Sequence, residues 1–225
     1  MGKTEAVRNS RIHTRYRIAD GTLVPGVTTA LNTLAKPALI PWAWRLGVAG
    51  IEMNAYRDGL AVIGTLAHSL ILATLGGMPP DFDDYTINEV KAASVALEKF
   101  TAWMAGHKVE VVAVEQQVIS EAHRFGGTLD LLARVDGRVT VLDLKTSGTI
   151  YVEHLAQVSG YALAAIESGT DVEAVAVLSL PRDPSEPTSD HFLVGDERLP
   201  YQRLFLAALE TYNAQKNIKA QGGKA

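Results

Sequence analysis

The sequence predicts an α/β fold in which a central mixed β-sheet is flanked by helices, with a helical region ahead of it. Three observations predict it. Residues 125–145, FGGTLDLLARVDGRVTVLDLK, alternate around Asp136-Gly137 as a β-hairpin does. Asp-Gly between apolar runs is a strong short-range hairpin signal, because both turn residues take φ > 0. A valine-rich run at 108–119 precedes the hairpin, and a helical pattern at 153–168 leads to the apolar run 172–180. The order β-β-β-α-β, with helices before it, implies a mixed sheet covered by helices.

Composition narrows the class. The chain has 225 residues, 47% hydrophobic and 20% charged, with no cysteine. That suits one globular domain with a sizeable core. Without cysteine there is no disulfide, zinc-thiolate site or iron–sulfur cluster. The start, MGKTEAVRNSRIHTRYR, is polar and carries no apolar signal region. No apolar run approaches the ~18 residues of a membrane span. A cytoplasmic protein free of membrane is expected. The net charge of −4 does not advertise nucleic acid. The distribution is more permissive: Lys3, Arg8, Arg11, Arg15 and Arg17 stand near the start against Glu5 and Asp20, and Arg203, Lys216, Lys219 and Lys224 near the end against Glu210.

In chain order, residues 11–24 alternate loosely around Asp20-Gly21 and suggest a hairpin that Pro25-Gly26 ends. Residues 27–34 read as a short helix. Pro41 opens the next helix in its first turn, running to about Arg57. Trp42 and Trp44, two apart, fall on different faces of it, so one can be core while the other lines a groove, or both pack partly buried. Residues 60–75 form a further helix stopped by Gly76-Gly77, and it carries His68. Residues 78–85 are a Pro- and Asp-rich loop. In 86–106, Val90, Ala93, Leu97, Phe100 and Met104 recur at helical spacing and mark a core face. The valine-rich strand holds Glu115. In the helix 153–168, Gln157 and Tyr161 share a face at i, i+4. Residues 191–194 suggest an edge strand, and 199–214 a last helix.

The hairpin sets the chemistry. A two-residue turn fixes register, which puts Asp130 opposite Asp143. Opposed residues have Cβ atoms roughly 5 Å apart on one face. Lys145, two residues past Asp143, projects from that face too. Opposed like charges destabilise a hairpin, and a hard divalent cation removes the penalty, since Mg²⁺ is held by one or two carboxylates plus water and phosphate oxygens. The alternative, a solvated strand pair with scattered charges, fits poorly with the apolar Val141, Leu142 and Leu144. The register assumes no β-bulge.

The ordered set Gly64-Thr65-x-x-His68, Gly127-x-x-Asp130, Asp143-Leu144-Lys145 and Gln157-x-x-x-Tyr161 resembles the PD-(D/E)XK nuclease superfamily, and more narrowly its RecB-like and phage-type exonuclease branch. The set spans residues 64–161. Leu129 stands where proline gives the family its name, and the cysteine set of the iron–sulfur relatives is missing. The segments VPGVTTAL and PWAWRLG are similar to phage-encoded members.

The resemblance implies a restriction-endonuclease-like core over residues 61–180. Residues 1–60 would be an N-terminal extension and 181–225 a closing strand and helix. It implies metal-assisted phosphodiester hydrolysis of DNA in a bacterial or phage-infected cytoplasm, in recombination, repair or processing, with a single-strand annealing or recombination protein as partner. Asp130 and Asp143 would hold Mg²⁺ or Mn²⁺, with the Leu144 carbonyl, His68 and Glu115 as further ligands. Lys145 would orient the attacking water or stabilise developing charge. Gln157 and Tyr161 would position the DNA backbone or Lys145. From the residues alone, His68 is as well a capped core histidine, and Glu115 a surface glutamate. Arg124, Arg134 and Arg138 are either phosphate contacts or solvated. Three functions compete: an exonuclease or structure-specific endonuclease, a non-catalytic DNA-binding module of the same fold, and a metal enzyme acting on another substrate. Intact Asp130, Asp143 and Lys145 favour the first.

Overall fold

The computed structural model describes residues 14–222. Lys3, Glu5, Arg8, Arg11 and Lys224 lie outside the described residues, as does the start of the expected 11–24 hairpin. Its remainder is an antiparallel ribbon of β1 (Tyr16–Arg17) and β2 (Leu23–Val24), with Gly21 at φ +82° in the turn. Four helices follow: α1 (Val27–Leu31), α2 (Leu39–Val48), α3 (Met53–Thr74) and α4 (Ile87–Ala105). The helix expected from Pro41 to Arg57 is in fact two. Gly50 adopts φ +71°, which a right-handed helix cannot continue through. The chain restarts with the Glu52 carboxylate accepting from the Asn54 and Ala55 backbone amides. The 60–75 helix therefore begins seven residues early. Helix α2 buries no side chain: Trp44 is 68% exposed, and Trp42 is half-buried with its ring 6.3 Å from that of Tyr56. Helix α4 opens on a Thr86–Glu89 capping box.

The sheet has the order β3 (Val109–Ser120), β4 (Phe125–Val135), β5 (Arg138–Lys145), β6 (Ala174–Ser179), β7 (Ser189–Val194). All neighbours are antiparallel except β5 and β6, which run parallel across helix α5 (Val152–Glu167), as a helical crossover requires. A 3₁₀ turn at Gly195–Arg198 leads into α6 (Leu199–Ala220), six residues longer than its apolar pattern indicated. The sheet is covered on both faces. Helices α3 and α4 pack on one, where Leu66, Ile71 and Phe100 meet Leu131, Leu142, Leu144 and Leu178. Helices α1, α5 and α6 pack on the other, where Val27, Tyr161 and Phe205 meet Leu129, Leu132, Val141 and Val177. The architecture is the expected α/β one, a five-stranded mixed sheet with helices on both faces. Among the described residues no helix is long and apolar enough to cross a membrane.

The hairpin turns at Asp136 (φ +48°) and Gly137 (φ +90°), as a type with both residues left-handed demands. Its register is the expected one from Val135↔Arg138 to Leu131↔Leu142. There the ladder stops, one rung short of Asp130 and Asp143. Strand β5 stays paired with β6 through Lys145↔Ser179, so β4 peels away while β5 continues. The peel has a counterpart in the packing. Strict alternation puts residues two apart on one face, yet Leu129 packs with α5 and Leu131 with α3. On β3, Val118 and Val114 likewise pack on opposite faces. Between each pair lies one rung, Glu115 across from Asp130, flanked by Val114↔Leu131 and Gln116↔Leu129. Glu115 carries the irregularity at φ +49°. A separate register shift occurs between Val111 and Ala113, on the β3 side of β4.

Candidate active site

A cleft of about 670 Å³ opens where β4 leaves β5. Glu115, Asp130, Asp143, Leu144, Lys145, Gln157, Tyr161 and His68 all border it. They come from β3, β4, β5, α5 and α3. Helix α3 reaches it by close approach: a Cβ on Gly64 would stand 3.2 Å from Thr146 Oγ1, and His68 lies one turn further on. Its Nδ1 is 3.7 Å from Asp130 Oδ2.

Asp130 does not face Asp143 as a bare like-charged pair. Its Oδ2 accepts from the Leu144 backbone N–H at 2.8 Å, so the carboxylate takes the place of the missing strand partner. The Lys145 carbonyl accepts from Leu180 N on the other side of β5. Backbone groups alternate sides along a strand, so the Leu144 carbonyl is turned towards the gap.

Asp143 is 1% exposed. Its Oδ1 accepts from Gln157 Nε2 at 2.9 Å. Lys145 Nζ stands 2.6 Å from Oδ2, a contact of opposite charges that misses the angle of a hydrogen bond and leaves Oδ2 without a directional partner. Burial pushes the Asp143 carboxyl up to about 6. The Lys145 ammonium opposes the rise and the Asp130 charge adds to it. Gln157 ties the cluster together, donating also to the Tyr161 hydroxyl at 2.9 Å and accepting from Lys145 Nζ at 3.2 Å. Burial holds the Tyr161 hydroxyl well above its ordinary pKa, so it stays protonated.

Among the described residues, no three His, Asp or Glu side chains form a ready metal-binding cluster. The donor chemistry nevertheless fits a hard divalent ion. Asp143 Oδ2 is a buried carboxylate oxygen with no hydrogen bond, and Asp130 borders the same cleft.

Some cleft residues carried no distinct signal in the sequence. Arg182, on the loop after β6, borders the cleft. So do Tyr16 and Thr128, joined by a 3.0 Å hydrogen bond that closes the ribbon over β4. The available signal was Gly126-Gly127. A Cβ on Gly126 would stand 2.5 Å from the Tyr16 ring, and one on Gly127 would collide with the Tyr161 ring. Arg124, Arg134 and Arg138 do not border the cleft. Arg124 lies 3.9 Å from Asp20, and Arg134 lies 3.8 Å from Glu173.

Residues 41–216 match a family model described as the PD-(D/E)XK nuclease superfamily. A search of curated proteins found no match. Among solved structures, the chain is similar to that of SSO0001, with 12% identity and a TM-score of 0.36, over 59% of this chain and 63% of that one. It is also similar to an alkaline exonuclease, LHK-Exo, from Laribacter hongkongensis, with 16% identity and a TM-score of 0.34, over 69% of this chain and 84% of that one. The same enzyme in complex with dAMP gives 14% identity and a TM-score of 0.37, over 69% and 83%.

Proposed function

The chain belongs to the PD-(D/E)XK nuclease superfamily, and on that premise we propose that it is a DNA exonuclease dependent on Mg²⁺ or Mn²⁺. The observation that carries the reading is Asp143: a buried carboxylate with one oxygen lacking a hydrogen bond, beside Asp130 and within reach of Lys145. A non-catalytic binding module has no need of so costly a group. Asp130 and Asp143 would hold the ion, with the Leu144 carbonyl, His68 and Glu115 completing its surroundings. When bound, the ion would polarise the scissile phosphate and make water a better nucleophile at neutral pH.

The chain's own groups do the rest. Lys145 donates to phosphate or water oxygen as negative charge grows there, and it stands 2.6 Å from the Asp143 carboxylate. Gln157 fixes the Asp143 carboxylate and the Lys145 ammonium in one arrangement. Tyr161, protonated and buried, fixes Gln157 in turn. Ala61, Gly64 and Thr65 of α3, which line the cleft, are small, which supports this reading.

The test is incubation with end-labelled linear and closed circular DNA in Mg²⁺, Mn²⁺ and EDTA, for wild type and Asp143→Asn. Loss of label from linear DNA only, abolished by EDTA and by Asp143→Asn, is the expected result. Cutting of closed circles would make it an endonuclease. DNA binding without cleavage in either metal would overturn the enzymatic reading. Calorimetry with Mn²⁺ should show binding to the wild type and almost none to Asp143→Asn.

A further inference from the structure

We propose that Arg182 holds a second phosphate of the substrate strand, next to the one that is cut; the inference rests on the nuclease reading. Among the described residues, Lys145 and Arg182 are the two Lys or Arg side chains that border the cleft. Lys145 is already matched by Asp143 and Gln157. Arg182 is half-buried, and its hydrogen bond among the described residues is a 3.5 Å one from Nη1 to Thr146 Oγ1. No carboxylate of the described residues lies within 4 Å of it; Tyr56 and Glu186 act on it only from further off. A guanidinium withdrawn from water without an anion is costly. Its planar fork is the geometry that grips a phosphate in two places.

The structure also anchors the loop that carries the fork. Arg182 sits on a loop whose carbonyls at Pro181, Asp183 and Glu186 all accept from Lys99 Nζ of α4, at 2.8, 2.6 and 2.6 Å. One ammonium thus satisfies three loop carbonyls and holds the loop against the helix. The Arg182 contact is to Thr146, the residue after Lys145. Both residues line one cleft, so a strand with its scissile phosphate at Lys145 would present a neighbouring phosphate on the Arg182 side.

The test is steady-state cleavage of a labelled oligonucleotide in Mn²⁺ by wild type, Arg182→Met and Arg182→Lys. Arg182→Met should raise KM on the order of tenfold, as loss of a charge-assisted hydrogen bond does, with kcat within a few-fold. Arg182→Lys should restore part of it. Replacing one flanking phosphodiester by a neutral methylphosphonate should cost the wild type a similar factor and the Met variant nothing further. If the phosphate is a terminal monoester, removing that group gives the same non-additivity, and the internal methylphosphonates do not. Unchanged KM, or losses that add at every position, would overturn the proposal. If the wild type cuts nothing, the nuclease reading fails by itself, and DNA binding decides on Arg182. A salt slope reduced by about one in Arg182→Met supports the contact, and an unchanged slope rejects it. Should Arg182→Met not fold, Arg182→Lys and the methylphosphonate series on the wild type decide the same question.

Discussion

Replacing Lys145 by methionine should make the stability of this protein depend on pH in a defined way. The ammonium lies 2.6 Å from a carboxylate that is 1% exposed and titrates at about 6. Met keeps the aliphatic stem and deletes the charge. At pH 5 the folded wild type already carries Asp143 largely protonated, so the ammonium contributes little and the variant should unfold at a similar urea concentration. At pH 8 the wild type has the ion pair. The variant must either keep a buried, unpaired anion or keep the proton. Asp143 is a group whose folded pKa is raised. The associated stability is present at low pH and lost as pH rises through the folded value. Deleting Lys145 raises that value further and widens the window of loss. Each pH unit for which the proton is retained costs about 1.4 kcal/mol. Two units from about 6 to pH 8 therefore set the extra loss at roughly 3 kcal/mol. Urea unfolding in EDTA at the two pH values measures it. Adding Asp143→Asn to Lys145→Met should recover most of the stability at pH 8 and none of the cleavage. A variant penalty equal at pH 5 and pH 8 would refute the reasoning.

Two further substitutions separate roles within the cleft. His68→Ala should lower Mn²⁺ affinity and cleavage while the melting temperature of the metal-free protein barely moves, since the ring is partly exposed; a lower melting temperature with unchanged affinity would make it a core residue instead. Gly127→Ala should destabilise by about 1–3 kcal/mol, as overpacking does, because the new methyl displaces the Tyr161 ring. A loss below about 0.5 kcal/mol in urea unfolding would show that the ring moves aside freely.

The hairpin and its register were legible because Asp136-Gly137 permits so few turns, and the observed pairs follow it to Leu131↔Leu142. The gathering of His68, Asp130, Asp143, Lys145, Gln157 and Tyr161 around one cleft was legible only through the ordered motifs. No local pattern tells that α3 crosses near Thr146. The end of the ladder at Asp130 was not legible, since alternation of apolar residues continues through it, and the positive φ of Glu115 that accompanies it lies one strand away. The split of the long helix at Gly50 was hidden because glycine is tolerated inside a helical pattern at a cost of about 1 kcal/mol. Arg182 carries no motif in the sequence, and the loop that bears it is held by Lys99, 83 positions earlier in the chain.

An open sheet has two edges, and this one has a third in its interior. Where β4 peels away, the backbone of β5 at Leu144 is left without a strand partner on its β4 side, and the Asp130 carboxylate caps its amide. The cleft thus draws part of its lining from main-chain atoms, which every amino acid except proline supplies alike. Position 144 can drift among apolar residues under selection for packing alone, and the amide and carbonyl remain. Asp130 has no such latitude, because it closes the sheet as well as lining the cleft. An asparagine there could still accept from the Leu144 amide, whereas an alanine would leave that amide open to the cleft. Loss of chemistry and loss of architecture are therefore separable at this residue by the choice of replacement, and a lineage that abandoned catalysis could keep the fold by way of asparagine.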